Sequence, residues 1–527
     1  MRLLIRGSIL GNAENRGVDS EFAQQTYVET RLDAELPKLL ESDYRTVILT
    51  GNPGDGKTSA LQMLFKFLQK QPGTKVIEEG IGGWTVEHGS KVIIAVNDAS
   101  ESQGDKSSDK VLLDAIGSLD TESSKNKLTF IAANDGRILQ FFKDNSDYYP
   151  TLFTDVSDQL KEQSAPKGKV LLIDLKKRAL ALPGNEDNLV LKLIAVMTSN
   201  DKWSVCENCN ARLSCPIKAN VDNLREGGAA SVSELTLISH LRRRKRFTLR
   251  DIRSTIAWII TADKSCNDVF EATKNSLDLR KRRGSRIWDL AFTPDFGDPV
   301  IDDWSQVDPQ LFPSPMNERI AIDQGLLSSN AENNAMQFGE IQRKIFFNAF
   351  GNDTYTRDST LAYKYLSDYI GDSGRTLDEV LSLVLTGVSR LVGSPGFKGD
   401  GLAIAGTDKN SSTAVVKVVP RNSFELLRPK LRIGYVETFD DLLVLRHNSG
   451  TELPMTLDLL ELLLRAASGE IFNSGGATSL IQDLETFTTQ LRRQPSKVVL
   501  IFNESGEPVV ATKAEDRIIL SMGPHEL

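Results

Sequence analysis

Val47-Ile48-Leu49-Thr50-Gly51-Asn52-Pro53-Gly54-Asp55-Gly56-Lys57-Thr58-Ser59 runs from an apolar strand pattern through a glycine-rich turn into a helical pattern. Positions 51–58 satisfy G-x-x-x-x-G-K-[ST] at every fixed position, and the flanking strand and helix give that spacing its structural meaning. The glycines let successive backbone N–H groups point into one cavity at a helix N-terminus, where a phosphate is cradled. On this reading Gly51, Asn52, Pro53, Gly54, Asp55, Gly56, Lys57, Thr58 and Ser59 surround the phosphates of ATP. Lys57 reaches the β- and γ-phosphates and the Thr58 hydroxyl ligates Mg²⁺. A turn that merely precedes a helix would explain the glycines but not Lys57-Thr58.

Three further apolar runs, Val92–Val96, Leu128–Ala133 and Val170–Ile173, are separated by helical stretches such as Ser107–Leu119. Alternating strands and helices imply βαβ units and a mainly parallel sheet with its ligand at the strand carboxyl ends. The order of glycine loop, acidic strand end, polar strand end and further strand predicts an α/β P-loop NTPase domain of the additional-strand, AAA+-like kind over residues 41–185. Asp98, at the end of the second run, is the expected Mg²⁺ anchor. A hydrolase of this kind usually places Glu directly after that Asp, but here Ala99 follows. Glu101 is then either the carboxylate that polarises water or a plain loop carboxylate. Asn134 ends the third run, and either holds the attacking water or caps the next helix. Farther on, Thr248 is an expected N-cap, and Arg250 and Arg253 share one helical face. They either touch the γ-phosphate from a helical lid or form surface ion pairs. No Arg occurs between Arg137 and Val170, so the customary place of an arginine finger is empty. The expected catalytic set is Lys57, Asp98, Glu101 and Asn134, with Arg250 and Arg253 at the nucleotide.

The whole chain has 527 residues, 40 % hydrophobic and 25 % charged, with a net charge of −8. That composition is globular, sufficient for about three domains, and excludes collagen-like, low-complexity and histone-like classes. Four cysteines cannot staple such a length, and no run approaches the roughly 18 apolar residues of a membrane helix. Met1–Arg6 lacks a secretory apolar core, so a reduced, cytoplasmic protein is expected. The texture divides into an N-terminal helical extension (1–40), the sheet domain (41–185) and a helical lid (186–290). A mainly helical region (291–395) and a mixed α+β module (396–527) follow. That module opens on a glycine-rich loop at 396–408 and closes on a hairpin at 497–512.

Cys206, Cys209 and Cys215 have the spacing C-x2-C-x5-C, which suits a tetrahedral Zn²⁺ site with a fourth ligand from Cys266 or His240. An iron–sulfur cluster and three free thiols are the alternatives. Residues 236–286 hold 14 Lys and Arg against 5 Asp and Glu. This basic stretch, densest over 241–286, suits either duplex DNA backbone or an acidic partner surface. The four histidines, His88, His240, His447 and His525, form no recognisable nucleophilic triad with Ser and Asp, and no nuclease carboxylate pattern occurs.

Taken together, the glycine loop, Asp98-Ala99-Ser100-Glu101, Asn134-Asp135-Gly136, the Cys loop ending in Cys215-Pro216 and Thr248-Leu249-Arg250-Asp251 resemble the DptF (DndF) family over about residues 41–265. That family supplies the ATPase subunit of bacterial phosphorothioation-dependent DNA restriction. More broadly the chain looks like an AAA+/STAND-like defence ATPase. The resemblance implies partner subunits that restrict DNA lacking backbone phosphorothioate, with this chain driving assembly or sensing rather than cleavage. A nucleotide-gated scaffold with little turnover and a DNA-loading ATPase are the competing expectations, and homo-oligomerisation stays open.

Overall fold

The computed structural model describes residues 24–80, 82–99, 108–117, 126–162, 165–182, 188–274, 284–293, 298–311, 319, 322, 331–348, 365–371, 373–393, 401–405, 415–439, 441–470, 477–493, 498–502, 508–514 and 517–522. The first body is built on β1 (Thr46–Thr50), α1 (Lys57–Gln69), β2 (Thr74–Gly80), β3 (Gly83–His88) and β4 (Lys91–Val96). It continues with α2 (Ser108–Ile116), β5 (Lys127–Ala133), α3 (Asp135–Asp144), α4 (Leu152–Glu162) and β6 (Val170–Asp174). Its six strands lie in the order β2-β3-β4-β5-β1-β6. β4, β5, β1 and β6 are parallel, in register Val47↔Phe130 and Val47↔Leu171 around β1.

The expectation of a mainly parallel sheet holds for four of the six strands and not for the other two. β2 and β3 form an antiparallel hairpin that pairs antiparallel to β4, so the sheet is mixed. β2 leaves little trace in the sequence because it is an exposed edge carrying Lys75, Glu78 and Glu79 around its Val76-Ile77 pair. An edge strand does not need the continuous apolar run that a strand covered on both faces requires.

Successive side chains of β1 point to opposite faces and enter two separate cores. Val47 and Leu49 join Leu61, Leu64, Phe65 and Leu68 of α1, together with Leu32, Leu36 and Leu39 from the preceding segment. Ile48 joins Val111 and Leu112 of α2, Phe141 and Phe142 of α3 and Val156 of α4. The result is a three-layer α/β unit whose parallel strands end at one edge, beneath the glycine loop.

Beyond β6 come α5 (Leu189–Met197), α6 (Pro216–Asn223), α7 (Ala229–Arg243) and α8 (Leu249–Thr261). α9 (Cys266–Lys274), α10 (Ala331–Asn348) and α11 (Leu377–Val392) follow. α7 is buried along Ser231–Leu241 on nearly every side, the mark of a central helix. Its Leu235, Ile238 and Leu241 share one core with Val384 and Leu385 of α11 and with Leu459, Leu460 and Leu463 of α12 (Leu457–Ala467). Lid and C-terminal half therefore have a common interior.

The C-terminal half contains a five-stranded antiparallel sheet in the order β16-β15-β14-β8-β7. Its strands are β7 (Gly401–Ala405), β8 (Val415–Pro420), β14 (Val498–Phe502), β15 (Pro508–Ala514) and β16 (Arg517–Met522). The glycine-rich loop expected at 396–408 thus contains a strand, β7, whose Leu402, Ala403 and Ile404 are fully buried. The closing hairpin is present as β14–β15, with β16 added to it. β9 (Phe424–Leu427), β12 (Leu443–His447) and β13 (Glu452–Met455) form a second, three-stranded sheet. A short hairpin, β10 (Leu431–Ile433) with β11 (Glu437–Phe439), reaches back to the first body. There Val436 enters the core of Leu32, Leu36 and Val47, and the Ala179 N–H donates to Glu437 O at 2.8 Å.

Candidate anion site at the glycine loop

The loop 51–56 leaves β1 at the carboxyl edge of the sheet, and α1 starts at Lys57. Gly51, Gly54 and Gly56 have φ of +151°, +102° and +91°, a region closed to most side chains. Gly56, as the N-cap of α1, has no side chain to accept the first N–H groups of the helix, leaving them to the loop cavity. Asp55 tightens the turn by accepting the Asn52 N–H at 2.5 Å. Burial pushes its carboxyl above the ordinary range, against the pull of that hydrogen bond and of Lys57.

Lys57 folds back over the loop, donating to Gly51 O at 2.7 Å and Asn52 O at 3.0 Å, with Asn134 Oδ1 at 3.4 Å. Burial lowers its pKa; Asp55 and Asp98 oppose that shift and Arg250 adds to it. Thr58 donates its hydroxyl to Asn97 O at 3.0 Å, which ties α1 to the end of β4. Asp98 is exposed beside it, while Ala99 is fully buried and donates its N–H to Ala132 O at 2.8 Å. Glu101 lies outside the described residues.

Asn134 occupies the N-cap position of α3, yet its side chain makes no capping hydrogen bond. The strand order puts the end of β5 between the glycine loop on β1 and Asp98 on β4, so Asn134 faces both. Asp135, not singled out by sequence reasoning, accepts from the Thr50 hydroxyl and pairs with Lys176 from the turn after β6. Its chemistry was masked because a carboxylate in the first turn of a helix is unremarkable.

α8 closes the site from above. Thr248 is its N-cap, in a reciprocal capping box with Asp251. The helix start abuts the loop so closely that a Cβ on Gly54 would lie 2.9 Å from both Arg250 Cβ and Thr248 Oγ1. Burial lowers the pKa of Arg253, and the neighbouring Arg250 lowers it further. Among the described residues no carboxylate pairs with Arg250 or Arg253. Lys57, Arg250 and Arg253 thus gather like charge that an anion would relieve.

Arg178 underlies the loop. It is buried, donates from Nη1 to Asp55 O at 3.1 Å and faces Glu437 of β11 with Nε 3.5 Å from Oε2. Glu437 Oε1 accepts the Arg31 N–H at 2.7 Å. Burial lowers the guanidinium pKa, and Glu437, with Tyr27 and Asp33 nearby, opposes that shift. No periodicity or motif links Arg178 to Glu437, and sequence reasoning passed over both.

Cys206 and Cys215 are half-buried, Cys209 and Cys266 exposed, and all four are free thiols. Of the two proposed fourth ligands, Cys266 bears electrostatically on Cys206 and Cys215. His240 is occupied elsewhere, with Nδ1 3.1 Å from Lys245 O and Nε2 3.8 Å from Asp441. Among the described residues no group of three or more His, Cys, Asp or Glu is placed so that it could hold a metal ion.

The basic run 242–246 meets the chain's own acids. Arg242 pairs with Asp458 and Glu461 of α12, Arg243 and Lys245 with Asp303, and Arg244 and Arg246 with Asp441. Of the second basic cluster, 280–283 lies outside the described residues, and Arg286 sits 4.3 Å over the ring of Trp288. Among the described residues no helix is long and apolar enough to cross a membrane.

No family model, curated protein or solved structure matches this chain. The chemistry therefore rests on the site itself. A glycine loop with open N–H groups, three cations and a strand-end amide can hold a polyanion and orient its terminal group. A hydroxyl and an exposed carboxylate beside it offer hard oxygen donors to a divalent cation.

Proposed function

We propose that the chain is a P-loop ATPase of the additional-strand, AAA+-like kind and acts within a multi-protein bacterial DNA-restriction or antiphage complex. The observation that carries the nucleotide reading is the convergence of Lys57, Asn134 and Asp98 on neighbouring parallel strand ends, under a helix that adds Arg250. In this reading the loop N–H groups and Lys57 hold the β- and γ-phosphates, and Arg250 and Arg253 neutralise the γ-phosphate from the lid. Thr58 and Asp98 would hold Mg²⁺; one hydroxyl and one exposed carboxylate suit an ion that keeps most of its positions for water and phosphate oxygens. The restriction role rests on the motif combination over residues 41–265. The 242–246 arm pairs with Asp303, Asp441, Asp458 and Glu461 of the same chain, so the reading does not lean on that arm as a DNA contact.

Lys57→Ala is expected to abolish ATP binding, read by equilibrium binding of a fluorescent ATP analogue, and to abolish protection in a phage or plasmid challenge. Undiminished binding in that variant would sink the nucleotide reading. A second reading, a nucleotide-gated scaffold with little turnover, is favoured by Ala99, a buried methyl where a catalytic Glu usually stands. Steady-state turnover over a protein concentration series, with and without duplex DNA, separates the two. DNA-stimulated turnover lost in Glu101→Ala supports the ATPase, and tight binding without turnover supports the switch.

A further inference from the structure

Two walls face each other at the glycine loop, the loop itself and the start of α8, and one stretch of the C-terminal half is tied to both. The first tie runs beneath the loop. Ala179 donates its N–H to Glu437 O at 2.8 Å, and Arg178 forms an isolated antiparallel bridge with Thr438, so β11 lies alongside the turn after β6. That placement sets Glu437 Oε2 3.5 Å from Arg178 Nε, while Arg178 Nη1 donates to Asp55 O at 3.1 Å. Asp55 O belongs to the same planar peptide unit as the Gly56 N–H, so holding the carbonyl also fixes the direction of that donor.

The second tie runs through the arm that carries α8. Asp441, two residues beyond β11, has Oδ2 3.5 Å from Arg246 Nη2, 3.5 Å from Arg244 Nε and 3.8 Å from His240 Nε2. Arg246 in turn donates from Nη1 to Lys176 O at 3.4 Å, and the Lys176 ammonium pairs with Asp135, the residue after Asn134. Thr248, the N-cap of α8, stands two residues past Arg246, and Arg250 donates its N–H to Gly54 O at 3.4 Å. Asp441 is itself anchored in the C-terminal half, where its carbonyl accepts the Tyr369 hydroxyl at 2.9 Å.

Neither tie is closed as a static brace would be. Among the described residues Arg178 Nε and Nη2 and Glu437 Oε2 are buried without a hydrogen-bond partner, and the three separations at Asp441 are longer than a hydrogen bond. Buried ionic groups that serve stability alone close their remaining hydrogen bonds, because an open one carries its full desolvation cost. Charge acting across such gaps changes in energy when either wall shifts slightly.

We propose that Glu437 and Asp441 are positioning residues that set the gap between the glycine loop and α8, so that the C-terminal half controls how long nucleotide is held. This rests on the nucleotide reading of the same site. Coupling of this kind is reciprocal: nucleotide that draws the two walls together also tightens the seat of the 431–439 hairpin.

The test uses the full chain and a fluorescent ATP analogue with Mg²⁺, its release followed by stopped flow. Glu437→Gln keeps an oxygen for the Arg31 N–H, and Asp441→Asn keeps the carbonyl that Tyr369 holds, so each removes charge with little change of shape. Each is expected to release the analogue about fivefold faster or more. Glu452→Gln, which removes an exposed carboxylate of β13 in the same half, leaves release unchanged. In wild-type protein, saturating analogue is expected to slow amide hydrogen exchange across 431–439, an effect that a merely structural hairpin would not show. Should Glu437→Gln fail to fold, Asp441→Asn and the wild-type exchange decide the matter. Unchanged release in Asp441→Asn, or exchange indifferent to the analogue, overturns the proposal and leaves the nucleotide reading standing. Failure of the wild type to bind the analogue overturns both.

Discussion

Glu437→Ala is expected to destabilise the protein by about 3–5 kcal/mol, because it strands a buried guanidinium with no carboxylate opposite it. The wild-type pair is almost inaccessible, with Arg178 at 6 % and Glu437 at 1 % exposure. Arg178 would keep only its hydrogen bond to Asp55 O, and the Arg31 N–H would lose its acceptor. Urea unfolding followed by circular dichroism reads the loss. The double variant Arg178→Met with Glu437→Leu should recover most of it, since apolar replacement of both partners removes the unpaired charge. A midpoint unmoved in Glu437→Ala would show that the pair contributes nothing to the fold. Because Arg178 also holds the loop carbonyl at Asp55, the single variant should in addition weaken ATP-analogue binding, an effect the stability measurement alone does not report.

The second large effect is expected at Gly387, where α11 crosses α12. A Cβ there would lie 2.2 Å from Leu463 O, 2.8 Å from its carbonyl carbon and 2.9 Å from its Cα. All three are backbone atoms, so no side-chain rotation relieves the clash. The helices must separate, and they carry Val384, Val388, Leu460 and Leu463, each essentially without exposure. Gly387→Val is expected to cost about 3 kcal/mol, at the upper end of overpacking penalties. Gly434→Ala serves as the control, since a Cβ at Gly434 meets nothing within 4 Å. Its unfolding midpoint should stay within about 0.5 kcal/mol of wild type. Equal behaviour of the two variants would mean that the crossing is looser than the structure has it.

The parts legible in the sequence share a physical reason. β1, β4, β5 and β6 are covered on both faces or nearly so, and such strands read as nearly continuous apolar runs. The glycine loop is legible because positive φ and a helix N-terminus demand particular residues at fixed spacing. Thr248 was found for the same kind of reason, a cap being a local requirement. What stayed hidden depends on pairing across long stretches of chain. β2 is polar because one edge meets water, β7 is disguised by the surrounding glycines, and Arg178 finds Glu437 only once the C-terminal half has folded back. Charge runs mislead in a related way. The cluster at 242–246 announces its own sign but not its counter-charge, which here comes from Asp303, Asp441, Asp458 and Glu461.

The hairpin at 431–439 also fixes how this protein can be dissected. A gene fragment ending between residues 185 and 430 would encode the whole six-stranded sheet and its glycine loop, yet would lack Val436, which closes the apolar layer over Leu32 and Leu36, and Glu437, which neutralises Arg178. The sheet is therefore not a portable cassette. Expressed alone it would present a bare apolar face and an orphan cation at the base of its own loop, and fragment work has to supply 431–439 either in cis or as a complementing peptide.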